Sequence, residues 1–290
     1  MIVFAGPGVA GAIRNQFNQV TNTVDSGASG DNFLSAEEKA YREAMKTVAG
    51  KDAKDWTLDE QEAAATDIAK NGTSSVVYAK AKAAMDADVK FRMKLANGQT
   101  LEYRIIGIGH DDLADGSGKA GLTFLTTSTG ISSSMNATGT NAGGWEKSEL
   151  RQKMNGGEIW NLMPSDFRSK VKTVKKLTNN VGGGSANKDA AVTATSDRLF
   201  LLSYSEIAPT SAWASSYPWS SSEGTQYEAF KGKVVNNSGS KLDLFTGAYW
   251  WERSVNPSDT VNFLSIDSDG NLSHPGSAGN SRNVFPAWCF

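Results

Sequence analysis

At Val89 the hydrophobic period of the chain changes from helical to two, and this change constrains the fold more than any other feature. Val89, Phe91, Met93 and Leu95 alternate with Lys90, Arg92 and Lys94. Asn97-Gly98 follows, and Leu101, Tyr103 and Ile105 then alternate with polar residues. Alternation around an Asn-Gly pair predicts a β-hairpin with a tight turn, because both central positions of such a turn need positive φ. Before Val89 the signals are helical. Ser35 with Glu38, and Thr57 with Glu60, have the spacing of a capping box. Leu34, Tyr41, Met45 and Val48 recur at helical spacing up to Gly50. Leu58, Ala64, Ala65 and Ile68 do so up to Asn71-Gly72, and an alanine-rich stretch covers 74–86. The division therefore falls near residue 88: an N-terminal region of short helices, 1–88, and a β-rich region, 89–290. The helices are thinly hydrophobic, so they are expected to pack on the following region or on another copy of the chain.

Further strands are expected at 122–126 and, buried, at Leu199 to Ser203. A stripe from Lys170 to Leu177 sets Val171 and Val174 among four lysines. It reads as a solvated strand or sheet edge, where lysines deter unwanted pairing. Trp213, Tyr217, Trp219, Tyr227 and Phe230 stand among serines and suit either a core under long loops or an adaptable recognition surface. Gly182-Gly183-Gly184 marks a loop.

Composition narrows the function. With 290 residues the chain can bury a sizeable core. A formal net charge of −2 provides no global basic field for nucleic acid. No apolar run is long enough to span a bilayer, and the start, Met1 to Asn15, lacks the basic n-region of a signal peptide. Gly6, Gly8 and Gly11 spell G-x-G-x-x-G after Ile2 to Ala5. The acidic residue that a dinucleotide site needs after a second strand is missing, which favours an N-terminal arm. There is no H-E-x-x-H, no G-x-S-x-G and no complete phosphate loop. Asp111, Asp112 and Asp115, and Asp267, Asp269 and Asn271, offer oxygens to calcium but lack the twelve-residue loop and its closing Glu, so Asp-Gly turns account for them more cheaply. The expectation is no metal and no cofactor. The single cysteine, Cys289, lies in a terminal apolar run and reads as an inert buried thiol.

The C-terminal stretch carries two apolar clamps around a polar tract. Tyr249-Trp250-Trp251-Glu252-Arg253-Ser254 opens it, Asp269-Gly270 sits near its middle, and Val284-Phe285-Pro286-Ala287-Trp288-Cys289-Phe290 closes it. Upstream, Trp145, Ser148, Leu150, Arg151, Met154 and Asn155 follow the spacing of a short helix packed on a sheet. Taken together, residues 89–290 resemble the C-type-lectin-like domains of gut bacteria and their phages. These are related in fold to the formylglycine-generating enzyme and include the variable proteins of diversity-generating retroelements. Phe285 departs from the family, which usually has Arg at that point.

The resemblance implies an α+β fold, with short helices packed on a small antiparallel sheet and an N-terminal helical region before it. It implies a non-enzymatic receptor-binding protein on a phage virion surface, capsid or tail, made in the host cytoplasm. The alternative is a structural decoration protein. The partners would be a host-surface protein or glycan, other virion proteins through residues 1–88, and further copies of the chain in a trimer, with no nucleic acid and no membrane insertion. The related enzyme uses a pair of cysteines, which this chain lacks. A bacterial surface adhesin is disfavoured by the missing export signal. Trp250, Trp251, Arg253, Pro286 and Trp288 would hold the scaffold. The ligand face would draw on Ser258, Asp259, Asn262, Ser265, Asp267, Asn271, Ser273, His274, Asn280 and Arg282, whose side chains offer both donors and acceptors.

Overall fold

The structure, a computed structural model, describes residues 35–127, 130–179, 192–209, 223–234, 248–256, 259–272 and 274–290. The Gly6–Gly11 motif, Leu34, Gly182 to Gly184, Trp213, Tyr217, Trp219, Ser258 and Ser273 lie outside the described residues.

Three helices come first: α1 (Ala36–Gly50), α2 (Leu58–Asn71) and α3 (Tyr78–Asp86). Ser35 Oγ accepts the Glu38 N–H at 3.1 Å and caps α1. At α2 both halves of the capping box form: Glu60 N–H donates to Thr57 Oγ1 at 3.3 Å, and Thr57 N–H to the Glu60 carboxylate at 2.8 Å. Alanines let these helices approach the sheet closely. A Cβ on Gly121 would lie 1.8 Å from the Ala65 carbonyl oxygen, so only glycine fits where α2 crosses the chain just before Leu122. Tyr103 OH donates to Gln61 Oε1 at 3.0 Å across the same junction. The helices therefore share one hydrophobic core with the β-rich region.

The first sheet has the order β1-β2-β3-β11 and is antiparallel throughout. It comprises β1 (Phe91–Lys94), β2 (Thr100–Ile108), β3 (Leu122–Thr126) and β11 (Ala287–Cys289). The hairpin forms, but its turn differs from the expected one. Ala96-Asn97 make the turn, closed by the Gly98 N–H on the Leu95 carbonyl at 2.9 Å. Of the Asn-Gly pair only Gly98, φ +87°, has positive φ, so the loop has three residues. The closing strand places Trp288 opposite Phe124, with ring centroids 5.8 Å apart. Tyr103 and Phe167 pack edge-on to Trp288 at 4.9 and 5.0 Å. Each such ring removes a large apolar area from water, so this cluster dominates the core.

The second sheet, of order β4-β10-β7-β8-β9, comprises β4 (Ser132–Ser133), β7 (Trp250–Val255), β8 (Asn262–Ile266), β9 (His274–Ser277) and β10 (Arg282–Asn283). Only β10 and β7 run parallel. Between Trp251 and Val255 the register of β7 against β8 shifts, so Glu252, Arg253 and Ser254 form a bulge. Bulges re-aim side chains, and here Arg253 is turned into the protein. A separate hairpin pairs β5 (Val174–Asn179) with β6 (Val192–Asp197).

Short helices bridge these sheets: α4 (Gly144–Lys147), α5 (Glu149–Asn155), α6 (Glu158–Leu162), α7 (Ser165–Lys170) and α8 (Tyr204–Ile207). The expected helix over 145–155 breaks at Ser148, whose extended backbone ends α4 and whose Oγ caps α5. Trp145 Nε1 and Arg151 Nε then converge on the buried Asp197 at 3.0 and 2.7 Å, which fixes the helices on β6. The fold is thus α+β, with short helices on small antiparallel sheets.

Two expectations are corrected. Leu199 to Leu202 is buried but forms no regular strand. It makes one bridge, Phe200 to Ala287, while Arg253 takes the Leu201 and Leu202 carbonyls. The lysine stripe is not uniformly solvated: Lys176 is 3% exposed and ion-paired inside the protein.

Candidate functional site

Two polar assemblies lie side by side on β7, one buried and one at the surface. The buried one begins at Lys176, on the same face of β5 as Val174. Its ammonium meets Asp111 Oδ1 at 2.6 Å and Glu206 Oε1 at 2.5 Å, and lies 4.3 Å from the centroid of the Phe200 ring. Glu206 also accepts from Arg253 Nη1. Arg253 spends its remaining donors on carbonyls: Leu201 at 2.8 Å, Glu223 at 2.5 Å and Leu177 at 3.2 Å. The Glu223 carboxylate accepts from Ser254 Oγ at 2.5 Å and from the Asn179 N–H at 3.0 Å. Asp111 in turn accepts from Thr123 Oγ1 at 2.6 Å and Tyr227 OH at 2.9 Å, with Cys289 Sγ 3.5 Å away.

Every side chain in this chain is 4% exposed or less. Burial alone would push the Asp111 carboxyl up, but the Lys176 ammonium and His110 outweigh it and hold it far below the usual carboxylate range. Burial likewise opposes ionisation of Glu206, and Arg253 and Lys176 prevail. At Glu223 burial wins and the carboxyl is raised. That moves the two cations and three carboxyls toward electrical balance. The Cys289 thiol is raised well above its ordinary value by burial and by Asp111. These groups satisfy one another, so their chemistry is that of a rigid frame.

The polar tract resolves into separate pieces. Asp259 Oδ1 accepts the N–H groups of Val261 and Asn262, and its Oδ2 accepts Asn262 Nδ2 at 2.7 Å. Asn141, which sequence reasoning passed over, pins this turn by donating to the carbonyls of Asn256, Asp259 and Asn262. Asp267 and Asn271 close a second turn around Gly270, with Asn271 Nδ2 2.8 Å from Asp267 Oδ2. There the carboxyl is lowered, because bonds from Asn271 and Asp269 outweigh burial. Asn280 is exposed in the turn between β9 and β10.

Ser265, His274 and Arg282 come together. Ser265 is buried; its Oγ donates to the His274 carbonyl at 2.8 Å and accepts from Arg282 Nη1 at 2.7 Å. The Arg282 guanidinium lies 4.9 Å from the Tyr249 ring centroid and 5.0 Å from that of Trp251. The His274 ring is 5.2 Å from Tyr249, and its pKa is lowered by burial and by Arg282. Sequence reasoning assigned Tyr249 to the apolar clamp. It is 41% exposed, and the signal was its spacing: Tyr249 and Trp251, two apart in an extended segment, share a face.

Asp111, Asp112 and Asp115 do not assemble into an oxygen cluster, and Asp267, Asp269 and Asn271 form a hydrogen-bonded turn, as the Asp-Gly reading has it. Asp111 belongs to the buried chain, Asp112 pairs with Lys119, and Asp115 accepts from the Ser117 N–H. Among the described residues no group of three His, Cys, Asp or Glu side chains is placed to hold a metal ion, and no helix is long and apolar enough to cross a membrane.

The class defined so far is an α+β domain whose second sheet carries a half-buried polar cluster beside a buried ion-pair frame. Residues 120–290 match the family described as DUF6273, domain of unknown function, and the chain belongs to it. Searches of curated proteins and of solved structures give no match.

Proposed function

We propose that the chain is a ligand-binding protein of the C-type-lectin-like class, acting without catalysis in host attachment from a phage virion surface. The observation that carries this reading is the juxtaposition on β7. One side of the strand is locked by buried charges, and beside it Tyr249, His274 and Arg282 present an aromatic and cationic face among small polar residues. A fixed scaffold under a surface of replaceable polar side chains suits recognition. Weak single sites gain avidity when displayed on an oligomer, by about a hundredfold or more. The resemblance supplies the setting, and residues 1–88 would serve attachment to other virion proteins.

The test is adsorption of the purified full chain to candidate host cells, beside a folded variant carrying Tyr249→Ala, His274→Ala and Asn280→Ala. Adsorption by the wild type and its loss in the variant are expected. Assembly onto capsid or tail components with no adsorption by either protein would replace attachment with structural decoration.

A further inference from the structure

We infer that Arg282 anchors a subsite for the carboxylate of an acidic sugar, a uronic or sialic acid residue within a glycan. This deepens the ligand-binding reading and rests on it. The first observation is charge without a counter-ion. Arg282 forms no ion pair among the described residues, like Arg168 and Arg198, which are spent on Asn161 and Asn155, and unlike Arg92, Arg104, Arg151 and Arg253, which each meet a carboxylate. The second is preorganisation. The guanidinium lies against the Tyr249 and Trp251 rings, with Nη1 donating to Ser265 Oγ at 2.7 Å and Nη2 to the Pro275 carbonyl at 3.4 Å. The floor is fitted to it as well, since a Cβ on Gly276 would lie 2.7 Å from both Arg282 Nε and Trp251 Cζ3. A planar cation already immobilised loses little further entropy on binding, and its fork matches a carboxylate.

The surroundings favour a sugar over a peptide. Peptide and protein partners need an apolar anchor and a pocket to receive it. The exposed large apolar side chains among the described residues are Val76, Leu177, Val192 and Tyr249, and only Tyr249 lies on this face. A single aromatic ring beside a cation, flanked by the imidazole of His274, matches the footprint of one charged monosaccharide.

The experiment is a glycan array carrying uronic-acid- and sialic-acid-terminated glycans beside their neutral counterparts. It is probed with the full chain and with Arg282→Gln, Arg282→Lys and Tyr249→Ser, each checked to be folded at the assay temperature by a cooperative melting transition well above it. Titrations of the best acidic glycan follow. Wild type is expected to prefer acidic glycans, and Arg282→Gln to weaken binding by about tenfold or more, the loss of one charge-assisted contact. Arg282→Lys should restore little, because an ammonium neither forks nor stacks as guanidinium does. Equal binding of neutral and acidic glycans, no binding to the array, or a stronger response to a poly-glutamate peptide would each overturn the inference. Cell adsorption separates the two ideas. Adsorption that ignores Arg282→Gln sinks the acidic-sugar subsite and leaves attachment standing. Arg282-dependent glycan binding without adsorption does the reverse.

Discussion

Arg253 and Arg282 lie on strands of one sheet and have opposite environments. Arg253 is fully buried, and its donors end on Glu206 and on three main-chain carbonyls. Arg282 is half-buried, flanked by two rings and without a carboxylate partner. The difference shows how one residue type serves two ends. At Arg253 each guanidinium nitrogen has a partner in place, because an unpaired buried charge is costly. At the surface it can be held by stacking and left chemically open.

The largest test of this contrast is stability. Arg253→Met leaves Glu206 with Lys176 as its one cation and strips the donor from the Leu177, Leu201 and Glu223 carbonyls, and is expected to cost roughly 3–5 kcal/mol in urea denaturation. Arg282→Gln loses one surface contact and should cost about 1 kcal/mol or less. Similar costs for the two variants would break the comparison.

The β-hairpin, the Thr57 cap and the buried Cys289 were legible because their signals are local: an Asn-Gly pair, an S/T-x-x-E spacing, an apolar run. The frame was not, because its members come from 111, 176, 206, 223 and 253 and meet only through the fold. Lys176 did leave a trace. Val174, Lys176 and Thr178 share one face of β5, and all three are buried, so strict alternation placed the lysine inwards. The general rule that lysines are solvated hid it. Of the expected ligand face, proximity in sequence joined residues that the structure separates into two closed turns and one open cluster. The cluster forms because β8, β9 and β10 fold back on β7, which no short spacing encodes.

Acid sharpens the comparison further. Asp111, Glu206 and Glu228 all have lowered carboxyl pKa values; at Glu228 burial is outweighed by the hydrogen bond and charge of His110, and the value lies at about 2. Groups depressed in the folded state contribute stability above the unfolded carboxylate range, and that stability is lost as pH falls from about 4 toward 2. Glu223, raised by burial, acts in the opposite sense, losing its contribution as pH rises above the usual carboxylate value. The expected outcome is cooperative unfolding below pH 4, followed by tryptophan fluorescence. His274 at the face, its pKa lowered by burial and by Arg282, should protonate below the ordinary imidazole range, seen by NMR while the fold persists. Loss of the fold in step with His274 titration would mean that frame and face are one unit.

The smallest effect separates the presence of Arg282 from its placement. Gly276→Ala leaves every charge intact, yet its new methyl would sit 2.7 Å from Arg282 Nε and Trp251 Cζ3. The indole is buried and fixed by its Nε1 bond to the Ser133 carbonyl at 2.9 Å, so the guanidinium is the group that must move. Overpacking of this kind costs about 1–3 kcal/mol when a core has to give, and less when a half-buried side chain can swing out. We therefore expect about 1 kcal/mol in stability, together with a loss of acidic-glycan binding of about tenfold, close to that of Arg282→Gln. Full retention of binding would show that the charge of Arg282 suffices wherever it sits, and that the stacking between Tyr249 and Trp251 serves the sheet and not the ligand.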